Sequence, residues 1–103
     1  MVGDLFSKLQ DARQKIEDAK KKLNDIIIES ESTGGEISIK ANANKTITSV
    51  YISDEFRKAS TGSELEELLL VTINKALEEA ARRGEIEMKN ITKDVLPNFP
   101  GLV

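Results

Sequence analysis

The chain has 103 residues, a formal net charge of −3, 32% charged and 4% aromatic residues, and neither Cys nor His. That length fits one domain whose core would gain from self-association, and the composition suits a helix-rich protein with a long solvated surface. The missing residue types exclude thiol chemistry, disulfides, most zinc sites and histidine acid–base catalysis, while the early Asp4 and the lack of a long apolar run argue for a cytoplasmic protein without signal peptide or membrane span.

In chain order, Leu5, Leu9, Ala12, Ile16, Ala19, Leu23 and Ile26 step alternately by four and three, the a/d seam of a coiled coil, and predict a helix over about residues 4–25. The β-branched run Ile26-Ile27-Ile28 then disfavours helix and opens a sheet over about residues 26–52. Its first strand, Ile26 to Ser32, is expected to stop at the hairpin signal Thr33-Gly34-Gly35. The second, Glu36 to Ala41, places Ile37, Ile39 and Ala41 on one face, and Asn42-Ala43-Asn44-Lys45 turns the chain because Asn tolerates left-handed backbone. The third, Ile47 to Ile52, should point Val50 and Ile52 inward and Tyr51 outward, completing an antiparallel meander.

Ser53 to Phe56 leaves the sheet, and a capping box with Ser63 as cap and Glu66 reaching back predicts a second helix over about residues 63–93. Its first half is apolar almost all round, so both the sheet and a second subunit are expected to cover it. Leu65, Leu68, Leu69, Leu70 and Ile73 are the candidate dimer core. Gly84 falls in register on this helix's own seam and is read as a close approach to Ile16 rather than as a helix end. Residues 94–103 form a tail, extended where it reads Leu96-Pro97-Asn98-Phe99-Pro100-Gly101-Leu102-Val103.

The second seam, Leu77, Ala81, Gly84, Met88, Ile91 and Val95, is flanked by Glu78, Glu85, Glu87 and Asp94, whereas the first is flanked by Lys8, Arg13, Lys15, Lys20 and Lys22. A basic-flanked seam repels its own copy and accepts an acidic-flanked one. The two helices are therefore expected to pack antiparallel as an arm, with Leu9 on Ile91, Ala12 on Met88, Ile16 on Gly84, Ala19 on Ala81 and Leu23 on Leu77. That register brings Lys8 toward Asp94, Lys15 toward Glu87, Arg13 toward Glu85 and Lys20 toward Glu78.

Catalytic clusters are not evident. Thr33-Gly34-Gly35 lacks the Lys-Ser/Thr of a phosphate-cradling loop, and Glu29/Glu31, Glu66-Glu67 and Glu78-Glu79 have no converging partner for a metal. Ser60, Thr61 and Ser63 are explained by helix capping. No cofactor, metal, small-molecule substrate or enzymatic activity is expected. The bases left without a seam partner are Lys21, Lys75, Arg82, Arg83, Lys89 and Lys93, and Lys21, Arg82, Arg83, Lys89 and Lys93 are the candidate phosphate contacts.

The order and spacing of these segments resemble the YbaB/EbfC family of bacterial nucleoid-associated proteins. Glu31-Ser32-Thr33-Gly34 matches the family's Glu-x-Thr-Gly turn, Ile37-Ser38-Ile39 and Val50-Tyr51-Ile52 its alternating strands, and Ile73-Asn74 the entry to its charged C-terminal helix. The Leu96 to Leu102 run matches the Pro/Gly/Phe ending of the family. Two departures are a shorter Gly-rich loop and Asn42-Ala43-Asn44 where the family commonly has Gly. The resemblance implies an α+β fold, an α-β-β-β-α subunit, and a homodimer with projecting helical arms that binds double-stranded DNA in the nucleoid without catalysis. No recognition helix with base-reading spacing stands out, so backbone contact with little base readout is expected. The alternative is a cytoplasmic assembly or adaptor protein that grips a protein partner with its arms.

Overall fold

The computed structural model describes residues 2–95, with side chains from residue 3 to residue 93, so the expected extended tail lies outside the described residues. The elements are α1 (Val2–Lys22), a 3-10 turn (Leu23–Asp25), β1 (Ile27–Glu31), β2 (Ile37–Asn42), β3 (Ile47–Ile52), α2 (Asp54–Ala59) and α3 (Gly62–Val95). The fold is α+β, with one antiparallel sheet in the order β1-β2-β3. Its radius of gyration of 19.6 Å exceeds the roughly 13 Å of a compact chain this long, and its extents are 69 × 21 × 17 Å. The elongation comes from α3, which at about 1.5 Å per residue runs well past the sheet to pair with α1.

The hairpin between β1 and β2 forms where Thr33-Gly34-Gly35 signals it. Gly35 adopts φ +77°, which a residue with a Cβ avoids, and its amide donates to the Ser32 carbonyl at 2.9 Å. In the second turn the left-handed residue is Lys45, at φ 63°, and not an Asn as expected. Asn42 serves instead through its side chain, whose oxygen accepts from the amides of Asn44 at 3.0 Å and Thr46 at 3.2 Å. The side-chain oxygen thus stands in for a backbone acceptor and fixes the turn.

Ile37, Ile39 and Ala41 are buried on one face of β2, as their alternation predicts, and Ile37 and Ile39 pack with Ala76 of α3. Val50 lies opposite Ile39 on the same inner face yet is 50% exposed. Val50 therefore faces inward as expected, but it stays half-exposed because β3 is an edge strand and α3 lies chiefly over β2 and β1. Tyr51 points outward, as expected, onto a face shared with Glu29, Glu31, Ser38, Lys40 and Ser49.

The route into α3 also differs from expectation. A short α2 intervenes, capped by the Ser53 hydroxyl, which accepts from the Phe56 amide at 3.2 Å. The box at the start of α3 is Thr61 with Glu64 rather than Ser63 with Glu66: the Thr61 amide donates to Glu64 Oε1 at 3.0 Å, and the Glu64 amide to Thr61 Oγ1 at 3.1 Å. Both pairs carry the same spacing. The upstream one wins because α2 ends at Ala59 and leaves only Ser60 and Thr61 to reverse the chain.

Gly84 does not end α3, and it is a close-approach site, but its neighbour is not Ile16. A Cβ built there would stand 2.5 Å from the Ala43 carbonyl oxygen. The Ala43 amide in turn donates to the carbonyls of Leu23 at 3.2 Å and Ile26 at 3.1 Å, and the Asn44 amide group donates to the Lys20 carbonyl at 2.9 Å. The β2–β3 turn is therefore wedged between the end of α1 and the middle of α3. The place beside Gly84 that was expected for Ile16 is thus taken by the Ala43 carbonyl.

Candidate functional site

Two hydrogen bonds define the flanks of α3. Lys75 Nζ donates to the Glu31 carbonyl at 3.2 Å and Ser30 Oγ to Glu79 Oε2 at 2.9 Å, so these positions face β1. With about 100° between successive residues, Leu70, Ile73 and Leu77 then fall on the β3 flank. Beyond the sheet, the half-buried or buried residues Ala81, Gly84, Met88 and Ile91 continue that second flank, which is the expected seam toward α1. Ala76 and Ala80, both fully buried, belong to the sheet-facing side instead. The helix thus carries two buried faces about a quarter-turn apart, one for the sheet and one for the arm.

Arg82, Lys89 and Lys93 are exposed on the side of α3 away from the arm seam. Lys75, Arg82 and Lys89 recur every seven residues, about 10.5 Å apart along the axis, and Lys93 extends the line toward the arm tip. Glu78 and Glu85 border it, so the positive field is local. Arg83, a fellow candidate, is exposed but not unpartnered: its Nε lies 3.0 Å from Glu87 Oε1 on its own helix. Lys21 sits apart from these, exposed in the last turn of α1 with Lys20 and Lys22, where cations complement the helix dipole.

Three of the four expected interhelical ion pairs are not formed among the described residues. Among the described residues the ion pairs are local: Lys20 with Glu17 at 3.9 Å, Arg57 with Asp54 at 3.6 Å, and Arg83 with Glu87. Lys15–Glu87, Arg13–Glu85 and Lys20–Glu78 are absent, and Lys8–Asp94 lies outside the described side chains. Arg13, Lys15 and Lys22 stand exposed on α1, with no ion pair among the described residues. Arg13 and Lys15 lack the partners expected for them, Glu85 and Glu87, while Lys22 is a flank base for which the expected register offers no acid.

Four of the five candidate dimer-core residues, Leu65, Leu68, Leu69 and Ile73, are partly buried against the subunit's own core. Leu70 is not: it is 60% exposed on the β3 flank, the same flank as the half-exposed Val50. Val71, at 59% exposure, lies about 100° further round the helix, off that flank.

Two carboxylates are held below their ordinary range. Glu36 accepts from Ser32 Oγ at 2.7 Å and from nearby backbone amides, and Glu64 from the Thr61 amide and hydroxyl region of its cap. Both serve turns and caps. The outer sheet face forms a shallow open hollow of about 360 Å³ lined by Glu29, Glu31, Gly35, Ser38, Lys40, Ser49 and Tyr51. Among the described residues no group of three or more Asp, Glu, His or Cys is arranged to hold a metal, and no helix is long and apolar enough to cross a membrane.

Residues 1–95 match the YbaB/EbfC DNA-binding family. The chain belongs to that family. Among YbaB/EbfC relatives, a nucleoid-associated protein of Flavobacterium johnsoniae is 34% identical over 98 residues, covering 95% of this chain and 91% of its own. A nucleoid-associated protein of Thermodesulfovibrio yellowstonii is 32% identical over 103 residues, covering 99% and 90%. The crystal structure of an uncharacterized Helicobacter pylori protein, HP0035, superposes with a TM-score of 0.66 at 21% identity, over 93% of this chain and 97% of that one. The last likeness speaks for the fold. In this YbaB/EbfC member the family's second hairpin turn is held by Asn42 and clamped to both arm helices, and no sequence motif signalled that clamp. Its only hint was Gly84, a glycine retained inside a long helix despite a cost of about 1 kcal/mol relative to Ala.

Proposed function

We propose that the protein is a nucleoid-associated, DNA-binding homodimer that contacts the duplex backbone with little base readout and works in the bacterial cytoplasm. The observation that carries this reading is the outward line Arg82, Lys89 and Lys93 on the arm of a chain belonging to a DNA-binding family. Cations repeating along one rigid helix can approach successive phosphates together, and an overall charge of −3 does not prevent a local contact of that kind. Lys21 and the exposed α1 bases add to the same arm. The β3 flank, with Val50 and Leu70 exposed beside Ile73, supports the homodimer, since an apolar edge of this sort is the part of the subunit that a second copy would cover. No catalytic step is assigned to any residue.

Mobility-shift titrations of several unrelated duplexes across salt concentrations test the reading. Log affinity should fall with log salt by about 0.9 per neutralised phosphate. Replacing Arg82, Arg83, Lys89 and Lys93 by Gln should weaken binding to every duplex by a similar factor while folding and assembly persist, with Arg83 contributing least because Glu87 already neutralises it. Lys21→Gln is expected to act in the same sequence-independent way. Absence of binding by the unaltered protein at low salt would refute DNA binding and leave the adaptor alternative; undiminished binding by the Gln variant would move the contact to Arg13, Lys15, Lys21 and Lys22.

A further inference from the structure

Among the described residues of α3, Leu70, Val71 and Ile86 are large apolar side chains left exposed, Ile86 at 54%. Their surroundings on the helix surface differ. The neighbours of a helical residue lie three and four positions away in each direction. For Leu70 these include Glu66 and Glu67, and for Val71 they include Glu67. For Ile86 they are Arg82, Arg83, Lys89 and Asn90, all exposed, with no acid among them. At about 100° per residue, Arg82 and Lys89 fall on one side of Ile86, and Arg83 and Asn90 on the other. Ile86 itself stands about 200° round the helix from Gly84, so it crests the face turned away from the arm seam. Glu79, the acid on the same stripe nearer the sheet, accepts from Ser30 Oγ at 2.9 Å and is held toward β1.

A single exposed apolar residue is ordinary on a protein surface, but one ringed by cations sits where phosphates would gather. The inference rests on the DNA-binding reading and adds to it a contact with the bases. A helix about 10–12 Å across can enter the major groove, about 12 Å wide, whose walls carry phosphates and whose floor is made of base edges. Cations on both sides of the outer face of α3 suit the two walls, and the residue between them meets the floor. Arg83 shares its charge with Glu87 at 3.0 Å, so the stronger wall contacts fall to Arg82 and Lys89. Ile86 offers no donor or acceptor to a base edge, and the apolar group that base edges present in the major groove is the C5-methyl of thymine. We propose that Ile86 packs on thymine methyl groups in the major groove while Arg82 and Lys89 hold the phosphates beside it. One methyl contact discriminates weakly, so it biases binding toward A·T pairs and still leaves little base readout.

A duplex and its copy with every thymine replaced by uracil differ in that methyl and in no hydrogen-bonding group. In mobility-shift titrations at low salt, the unaltered full-length protein should bind the thymine duplex about fourfold more tightly, as expected for one buried methyl group. Ile86→Ala should bind both duplexes equally, at the affinity the unaltered protein has for the uracil form. Its fold should persist, since the site is exposed and Ala favours helix, and circular dichroism checks this. Lys89→Gln should weaken binding to both duplexes and keep their ratio, because a phosphate contact carries no sequence information. Equal binding of the two duplexes by the unaltered protein, or a ratio that survives Ile86→Ala, would overturn the methyl contact and leave DNA binding standing. Binding of neither duplex would overturn the DNA reading and this inference with it.

Discussion

Gly84→Ala separates the packing described here from ordinary helix energetics, because the two demand opposite signs. Ala is about 1 kcal/mol better than Gly in a helix interior, and α3 extends well beyond Gly84 on both sides. An open site would therefore gain that amount. Here the new Cβ meets the Ala43 carbonyl oxygen at 2.5 Å, about 1 Å inside ordinary contact, and backbone held by two hydrogen bonds cannot rotate away as a side chain would. Overpacking of this kind costs about 1–3 kcal/mol, so the net change should be a loss of about 0–2 kcal/mol. Urea unfolding at one fixed protein concentration measures it, since self-association would make the midpoint depend on concentration. Gly3→Ala is the control: it lies in α1 with nothing within 4 Å of the new Cβ, and it should be neutral to slightly stabilising. A Gly84→Ala protein that gains about 1 kcal/mol would refute the wedge between turn and helix.

Thr61→Ala removes the cap of α3 and should cost about 1 kcal/mol in the same assay, whereas Ser63→Ala should cost far less; the reverse order would restore the Ser63–Glu66 box. Glu36 and Glu64 have folded pKa values below their unfolded ones, so their contribution is complete above the ordinary carboxylate range and fades as pH falls through the folded values. Glu36→Gln and Glu64→Gln should therefore flatten the loss of stability below about pH 4, as followed by thermal melts. A double-mutant cycle on Arg13 and Glu85 should be additive within about 0.5 kcal/mol, because no ion pair joins them, and a larger coupling would reinstate the expected pairing. Sedimentation at micromolar concentration should show a dimer that Val50→Lys with Leu70→Lys converts to monomer; a monomeric parent protein would refute the homodimer.

Local chemistry was enough for much of this molecule. The four-and-three ladder from Leu5 to Ile26 specified α1, the β-branched run at Ile26 opened the sheet, and period-two alternation put Ile37, Ile39 and Ala41 on the buried face, because backbone geometry alone decides which residues share a side. The two seams also identified their partner faces correctly, since residues a few positions apart on one helix report its surface without reference to anything distant. What they could not report was register. Charge complementarity between exposed flanks is worth a few tenths of a kcal/mol per pair, too little to hold those pairs together, whereas the turn wedged against Gly84 and tied to Leu23 is a contact among segments far apart in the chain. The same limit applies to the candidate site. Sequence could name Arg82, Lys89 and Lys93 as unclaimed bases, but whether Arg83 was free, whether Arg13 and Lys15 were taken, and whether Leu70 rather than Ile73 faced outward depended on where the second helix and the sheet edge came to rest. Tertiary structure decided these because burial and pairing are properties of two surfaces, and each stretch of sequence describes only one.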